Sequence, residues 1–441
     1  MEKRLNPTLT LSFCCNVLSH QRFHPKLPGL ARLRQSFKAL QHRNYRLYFV
    51  GQGISIVGTW MTQIAAIWLT YHLTNSPFLL GIVGFVGQSP SIVLAPVAGY
   101  LGDRWNRRHI LLVTQSLALI RSLALAILAF TNHLDVGHLI VLSFIQGVLT
   151  AIDLPTRQAF VSEIVETKAD LGSAIALNSS LVSGARLLAP AIAGLLLSSV
   201  GAGMCFLLDA ISYGAVITAL VAMKLQSRSR QCPQERHPPW HEISIGFSYT
   251  LHSQPIRTVL LLLAFTTFLG TPFIALGPVF ADDVLGGNSD IFGFLMTASA
   301  IGALIGALYL SSRPDKRGIE KLIVVSPVGL GLGLLLFSQS RTLSFSLLLI
   351  ACIGLMLVIQ SASSNTFIQT IVEDRKRGRV MGFYTLTSEA GIPLGNLFAG
   401  ILASQIGVQT TLAIEGTLCI LIAVVFRKYL PHLRAAIAAA G

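Results

Sequence analysis

Charged residues are scarce in this sequence: they make up 12% of its 441 residues, whereas hydrophobic residues make up 52%. Ordinary soluble domains carry about a quarter of their residues as charged side chains. Too few polar side chains are present to cover a water-exposed surface, so the composition excludes a soluble globular protein. The apolar residues are gathered into runs of about twenty, the length at which a helix crosses a bilayer. We therefore expect an integral membrane protein.

The sequence also lacks the common signatures of metal sites and enzymes. Its six cysteines form no CxxC pair and no metal-ligand spacing, and Cys205, Cys352 and Cys419 lie inside apolar segments, where cysteine is a small core residue. An HExxH motif, a phosphate-binding GxxxxGKS/T motif and a cluster of histidine with carboxylates are all missing. We therefore predict no metal, no cofactor and no enzymatic activity.

Acidic residues are fewer than basic ones, at 19 against 33, which gives a formal net charge of +14. Such a surplus can indicate nucleic-acid binding, but here the basic residues form short clusters between apolar runs instead of one basic face. With twelve spans and a cytoplasmic N-terminus, 30 of the 33 Lys and Arg fall on the cytoplasmic side, in agreement with the positive-inside rule. We predict an all-α membrane protein with twelve transmembrane helices, both termini cytoplasmic, and no nucleic-acid partner.

The longest polar interval inside the chain separates six spans from six. It runs from Lys224 to Pro255 and is rich in arginine and proline, which indicates a linker. The predicted organisation is a cytoplasmic N-terminal extension at 1–44, a first six-helix bundle at 45–223, a cytoplasmic linker at 224–256, a second six-helix bundle at 257–430 and a cytoplasmic tail at 431–441.

The two bundles show a weak internal repeat. At an offset of 207 positions, Phe160, Ile164 and Gly184 of the first half meet the same residue types in the second. Because both halves start on the same side of the membrane, the repeat is a parallel one, related by an axis along the membrane normal. This arrangement allows one bundle to rock against the other.

The interval between the second and third spans contains a glycine, an aspartate and three arginines. Gly99 lets two helices approach closely, and Asp103 can accept hydrogen bonds from a helix N-terminus or an arginine. Arg104, Arg107 and Arg108 offer ion-pair partners that a rocking motion would break and remake. This segment, GYLGDRWNRR, resembles the signature loop of the major facilitator superfamily, with asparagine in place of the usual second glycine.

The resemblance implies the major facilitator fold. In that superfamily the loop is a cytoplasmic latch that stabilises the outward-facing state, so Asp103 is expected to face the start of the eleventh span near Arg379. The alternative is that the arginines only set the topology.

Three further parts of the sequence narrow the resemblance. They are RNYR at 43–46 leading into GTWM at 58–61, DLPTRQAF at 153–160, and ALNSS at 176–180. Together they are similar to the enterobactin-exporter-like branch of the superfamily. The resemblance implies secondary active export of a small organic solute by alternating access, coupled to proton antiport; a siderophore, a drug-like molecule or another amphipathic metabolite would fit. We expect a monomer in the cytoplasmic membrane whose partners are lipid, protons and the solute. The alternative is a non-transporting sensor or scaffold with the same fold.

The fifth span carries the sequence GARLLAPAIAG at 184–194. It resembles a glycine and proline signature of exporters in the superfamily, with alanine at two glycine positions. Gly184, Pro190 and Gly194 are therefore predicted to form a closely packed, bendable helix. Ordinary small-residue packing explains the pattern equally well.

Ionisable residues inside spans are costly to bury, so each is a candidate for function. Glu389 lies about ten residues into the eleventh span, near the midplane, and we predict that it carries the coupling proton; a structural glutamate is the alternative. Arg186 and Asp209 lie at similar depth in the fifth and sixth spans, so we predict that they pair, for proton coupling or for structure alone. Arg121 and Glu415 are expected to be structural.

The fourth span is predicted at 137–157, so Asp153 and Arg157 flank Pro155 at its end. They are predicted to form a helix cap or a gate pair. Other polar and aromatic side chains inside spans are candidates for lining a central cavity, namely Gln63, Gln146, Gln360 and Asn365, with Trp60, Trp68, Phe265 and Phe268.

Overall fold

The computed structural model describes residues 38–165, 167, 170–224, 249–313 and 318–440, and for residues 95–104, 374, 375 and 440 it describes the backbone alone. The described chain is almost entirely helical. After a 3-10 turn at Lys38–Gln41, the first half contains α1 (Arg43–Thr74), α2 (Pro77–Arg104), α3 (Arg107–Phe130), α4 (Val136–Ile164), α5 (Leu171–Ser199) and α6 (Ala202–Ala222). The second half begins with α7 (Gln254–Gly270), a short turn of helix at Gly277–Val279 and a π-helical turn at Phe280–Val284. It continues with α8 (Ser289–Ser311), α9 (Ile319–Gln339), α10 (Leu343–Ile371), α11 (Asp374–Ile406), α12 (Val408–Arg427) and the short α13 (Leu430–Ala440).

Local sequence explains where several helices begin. Long apolar runs fold as helices in lipid because each backbone N–H and C=O must find a partner within its own segment. The Asn106 side chain accepts from the Arg108 backbone N–H at 3.0 Å, and Asp135 forms a capping box with His138, so each satisfies free donors at a helix start. Gly201 and Gly407 have φ values of 86° and 82°, which suit glycine, at the sharp turns before α6 and α12.

The two halves, α1–α6 and α7–α12, pack by one scheme. In each half the first helix contacts the fifth and sixth, the second contacts the fourth, and the third contacts the fourth and sixth. This agrees with the parallel repeat predicted from the sequence.

The halves meet through two equivalent crossings, α2 with α11 and α5 with α8. At the first crossing, a Cβ added to Gly400 would lie 2.7 Å from the Cα of Gly81; at the second, a Cβ added to Gly293 would lie 2.9 Å from the Cα of Gly194. Such contacts let helix backbones approach closely. Both crossings lie near the connections α1–α2, α5–α6 and α11–α12, and we call this end of the molecule the closed face.

The other end of the interface is open. A Cβ added to Gly172, Gly184, Gly378 or Gly382 would meet no atom within 4 Å beyond its own stretch of helix. These glycines lie in the halves of α5 and α11 that are remote from the closed face. Within the described part of the chain, the two bundles therefore lack close glycine contacts towards the end that carries the α2–α3 and α4–α5 connections, which we call the open face.

Ten helices of the described chain are long and apolar enough to cross a membrane, judged by length and composition. α7 has 17 residues, and α11 begins with a basic segment; neither is among the ten. The chain is thus an all-α protein with about ten clearly apolar spans, and the count of twelve and the cytoplasmic termini stay predictions.

Several predicted boundaries differ from the structure. α4 continues to Ile164, seven residues beyond its predicted end, because Pro155 is accommodated inside the helix. The predicted tail at 431–441 forms most of α13, which packs on α9 and α10, with Leu433 buried and Arg434 paired with Glu320 at 3.6 Å. Most of the predicted linker, residues 225–248, and most of the predicted N-terminal extension, residues 1–37, lie outside the described residues.

Candidate functional site

Two opposite charges lie at similar depth, to within about one helical turn, on facing halves. Arg186 is the sixteenth of 29 residues in α5, and Glu389 is the sixteenth of 33 residues in α11. Their charges interact, although none of the ion pairs within the described residues joins them directly. Both side chains are solvent-exposed. Because one residue belongs to each half and their charges interact, both side chains face the space between the bundles, which we call the cavity.

An aromatic side chain of α1 completes this group. The Arg186 guanidinium carbon lies 4.8 Å from the centroid of the Trp60 ring, a cation–π contact. Gln63 follows Trp60 by three residues, which places it on the same face of α1, and it is exposed. We call Trp60, Arg186 and Glu389 the cavity triad.

The remaining cavity candidates differ in their surroundings. Gln146 and Asn365 are partly exposed and hydrogen-bond to Thr150 and Gln369, each one turn along the same helix. Gln360 is 1% exposed and accepts from Ser326 of α9 at 2.6 Å. Its assignment to the cavity is therefore wrong, because its side chain packs α10 against α9.

Asp209 lies away from the cavity. It is fully buried on α6, where it accepts from Ser122 of α3 at 2.8 Å and interacts with the charge of Arg121. Gly58 makes room for it, since a Cβ there would lie 2.8 Å from an Asp209 carboxylate oxygen. The predicted pairing of Asp209 with Arg186 is wrong, because Asp209 faces α1 and α3 inside its own bundle.

Asp153 is the centre of a buried network on the inner surface of the first bundle. Its carboxylate accepts from Thr114 at 2.9 Å and from Gln115 at 2.8 Å, both on α3, and from Arg157 one turn along α4. The interpretation of Asp153 and Arg157 as a helix cap is wrong, because α4 continues past both. Every contact named here lies within one half.

The predicted latch loop is described in part. The side chains of Gly99, Asp103 and Arg104 lie outside the described residues. Arg107 pairs with Glu163 of α4 at 2.5 Å, and Arg108 donates to the Val221 carbonyl at the end of α6 at 3.0 Å. Both arginines thus bind this loop to its own bundle.

The motif in α5 divides into two parts. A Cβ added to Gly194 would lie 2.8 Å from the Ser289 carbonyl oxygen, and a Cβ added to Gly293 would lie 2.7 Å from that of Pro190. Pro190 and Gly194 therefore belong to the α5–α8 crossing, whereas a Cβ at Gly184 would meet nothing within 4 Å.

The closed face holds a polar contact that the sequence did not predict. The Tyr71 hydroxyl of α1 donates to both carboxylate oxygens of Asp283, at 2.8 Å each, and Asp283 belongs to the π-helical turn after α7. Trp68, one turn before Tyr71, stacks on Phe292 of α8 with ring centroids 6.1 Å apart. The signal available in the sequence was the adjacent pair Asp282 and Asp283 in a loop poor in other charges.

Among the described residues, no group of His, Cys, Asp and Glu is arranged to hold a metal ion. The cavity triad itself offers a cation, a carboxylate and an aromatic ring. Such a site can bind a small charged or polar molecule and can exchange a proton at Glu389.

Comparison with known proteins gives a family match over nearly the whole chain. The model of the transmembrane secretion effectors matches residues 34–440. The staphyloferrin A transporter of Staphylococcus aureus is 28% identical, over 86% of this chain and 95% of the relative. The enterobactin exporter of Shigella boydii is 25% identical, over 89% of this chain and 93% of the relative. The crystal structure of a nucleoside transporter superposes with a TM-score of 0.70 at 14% identity, over 88% of this chain and 99% of that one, which supports the fold alone.

Proposed function

Because the chain belongs to the transmembrane secretion effectors of the major facilitator superfamily, in the enterobactin-exporter-like branch, we propose that it exports an amphipathic organic solute by alternating access with proton antiport. The chain is a multi-pass plasma-membrane transporter of small solutes and is not an enzyme. The observation that carries this proposal is the pair of exposed opposite charges, Arg186 and Glu389, at mid-depth between two bundles.

We propose twelve spans, with α7 and α11 added to the ten apolar helices and with both termini in the cytoplasm. The distribution of Lys and Arg supports this orientation. In this orientation the closed face is external and the cavity opens to the cytoplasm. An exporter in this state is ready to load its cargo.

In the proposed cycle Glu389 carries the proton. Arg186 of α5 is the charged group that acts on it, and the two residues belong to different bundles. Loss of the proton to the cytoplasm restores the negative charge that Arg186 faces, and cargo then enters. After the bundles rock, a proton from outside reaches Glu389 as the cargo leaves.

Asp103 and its arginines are the proposed cytoplasmic latch of the opposite state. Arg107 and Arg108 already hold the loop against α4 and α6. When the cytoplasmic ends approach, the loop is placed to contact the start of α11 and to stabilise the outward-facing state. We propose that the protein works as a monomer.

Two of the relatives are named for siderophores, staphyloferrin A and enterobactin. These names support an amphipathic metabolite of siderophore type as the cargo. A drug-like molecule would fit the same cavity, because Trp60 and Gln63 combine an aromatic face with a polar group.

Everted membrane vesicles test the proposal. With an imposed proton gradient, vesicles that contain the protein are expected to accumulate staphyloferrin A, enterobactin or ethidium, and a protonophore should abolish the uptake. Glu389→Gln should reduce uptake to the level of vesicles without the protein, because the side chain can no longer exchange a proton. Glu415→Gln is the matched control and should retain uptake. Gradient-driven uptake by Glu389→Gln, or no uptake of any of the three compounds by the wild type, would contradict the proposal.

A further inference from the structure

We propose that the cavity triad binds a dipolar cargo, one that presents an anionic group to Arg186 and a hydrogen-bond donor or cation to Glu389, with an apolar or aromatic body against Trp60. This inference rests on the proposed function, since it takes these residues as the transport site. It specifies the chemical class of the cargo, which the fold alone leaves open.

The geometry of the two charges supports a ligand between them. Arg186 and Glu389 sit at equal positions along their helices, are exposed and interact through space, but are not joined by a direct ion pair in the described chain. Asp153, by contrast, is satisfied by its neighbours, since it accepts from Thr114, Gln115 and Arg157. The charges of the triad are thus free to bind a molecule that enters the cavity.

A cargo of single charge fits this site poorly. An anion would bind Arg186 but would face the repulsion of Glu389, and a cation would bind Glu389 but would face the repulsion of Arg186. A molecule that carries both kinds of group satisfies each side chain in turn. Because α5 and α11 belong to different bundles, the same molecule also bridges the bundles.

Trp60 adds selectivity for the body of the cargo. Its ring already contacts the Arg186 guanidinium at 4.8 Å, so an anionic group on Arg186 places the rest of the molecule beside the aromatic surface. Indole rings contribute large apolar contact area at low cost in conformational entropy. The site therefore favours an amphipathic or aromatic cargo over a small, fully hydrated ion.

Competition between proton binding and cargo binding is consistent with a dipolar cargo. A donor on the cargo and a proton compete for the Glu389 carboxylate, so the binding of one opposes the binding of the other, which is the requirement for antiport. A purely anionic cargo would bind better when Glu389 is protonated, and the two would then move in the same direction. A donor group on the cargo therefore lets it compete directly with the proton for the Glu389 carboxylate.

The test uses three probes that share one aromatic body. Phenylalanine is zwitterionic, hydrocinnamate lacks the amine and phenethylamine lacks the carboxylate. Full-length protein in lipid nanodiscs, with Trp68, Trp105 and Trp240 each changed to Phe, leaves Trp60 as the single tryptophan. Binding is followed by the fluorescence of Trp60, without a proton gradient.

We expect phenylalanine to bind about tenfold or more tightly than either singly charged probe, the factor that one charge-assisted hydrogen bond contributes. In Arg186→Gln its advantage over phenethylamine should disappear, and in Glu389→Gln its advantage over hydrocinnamate should disappear. Glu415→Gln, remote from the triad, should keep the full ranking and reports on folding.

Equal or tighter binding of a singly charged probe by the parent protein would overturn the inference, and so would the absence of a Trp60 response to all three probes up to their solubility limits. The outcome is separable from the vesicle experiment. If the ranking fails while uptake still depends on Glu389, the coupling proposal stands alone. If the ranking holds while uptake does not depend on Glu389, the ligand class stands and the coupling proposal falls.

Discussion

At the scale of single residues, two buried carboxylic acids occupy equivalent positions with opposite surroundings. Asp209 and Glu415 are each the eighth residue of the last helix of their half, and each helix follows a glycine of positive φ. Asp209 accepts from Ser122 and faces the charge of Arg121. Glu415 is fully buried, and neither of its carboxylate oxygens has a hydrogen-bond partner among the described residues.

These surroundings predict opposite effects of removing the two acids. Asp209→Ala should lower the free energy of unfolding by about 3 kcal/mol, because it strands a buried arginine and a hydroxyl. Glu415→Met, which conserves volume and removes an unpartnered polar group, should change stability by no more than about 1 kcal/mol or should stabilise. Equilibrium unfolding in mixed micelles measures both. A large loss for Glu415→Met, or none for Asp209→Ala, would show that the contacts are assigned incorrectly.

Glu389, Arg186 and Asp209 show which features of the site can be predicted from the sequence. Glu389 and Arg186 were found because ionisable residues are rare in apolar spans and a depth can be counted along each helix. Their relation to one another was missed, and Asp209 was paired wrongly, because depth does not reveal which way a side chain faces. That direction depends on how helices from both halves are arranged around the cavity.

At the scale of helices, the crossing of α5 and α8 depends on the absence of side chains. A Cβ at Gly194 would lie 2.8 Å from the Ser289 carbonyl oxygen and 3.0 Å from the Cα of Gly293. A Cβ at Gly184, ten residues earlier in the same helix, would meet nothing within 4 Å. The two glycines therefore offer a matched pair for testing the role of close packing between the bundles.

Gly194→Leu should prevent the bundles from approaching at the closed face and should shift the protein towards the state that is open there. Gly184→Leu should leave the equilibrium near that of the wild type. Labelling of a cysteine introduced at Ser289, which is buried at this crossing, by an impermeant thiol reagent applied to intact cells measures the opening. Equal labelling in the two variants would argue against a packing role for Gly194.

Helix identity was more predictable than helix length. Each predicted span overlaps a helix, because the length of an apolar run can be read from the sequence, although α7 is shorter than a full span. The end of α4 was placed too early because proline usually ends a helix, whereas here the helix continues for nine residues after Pro155. Packing against α3 through the Asp153 network offsets the missing hydrogen bond.

At the scale of the whole molecule, the two ends of the interface are unequal. The closed face combines two glycine crossings, the stacking of Trp68 on Phe292 and the bond from Tyr71 to Asp283. At the open face, the described residues of the two bundles lack such contacts. The weak repeat predicts two similar halves, but it does not predict which end is closed. One set of helices supports both states, and the difference lies in contacts between residues of different halves that are far apart in the sequence.

The hydrogen bond between Tyr71 and Asp283 stabilises the closed face, so removing it should shift the balance between the two states. Its hydroxyl donates to both oxygens of Asp283 across the interface, and a hydrogen bond to a charged group contributes about 1.5–3 kcal/mol. Tyr71→Phe removes the bond and keeps the ring. It should therefore shift the ratio of externally open to externally closed molecules by about tenfold or more. Spin labels at Phe78 and Ile406, both exposed near the closed face, report this as a larger fraction of long distances.

Tyr45→Phe is the matched control for this change. The Tyr45 hydroxyl donates to the Ala174 carbonyl at 2.8 Å, and both residues lie in the first bundle. Its removal should lower stability by about 1 kcal/mol and leave the label distances unchanged. If both variants shift the distances equally, the effect of Tyr71→Phe is a general loosening of the fold. If neither does, the closed face is held by the glycine crossings and the aromatic stacking, and Tyr71 only fills space between them.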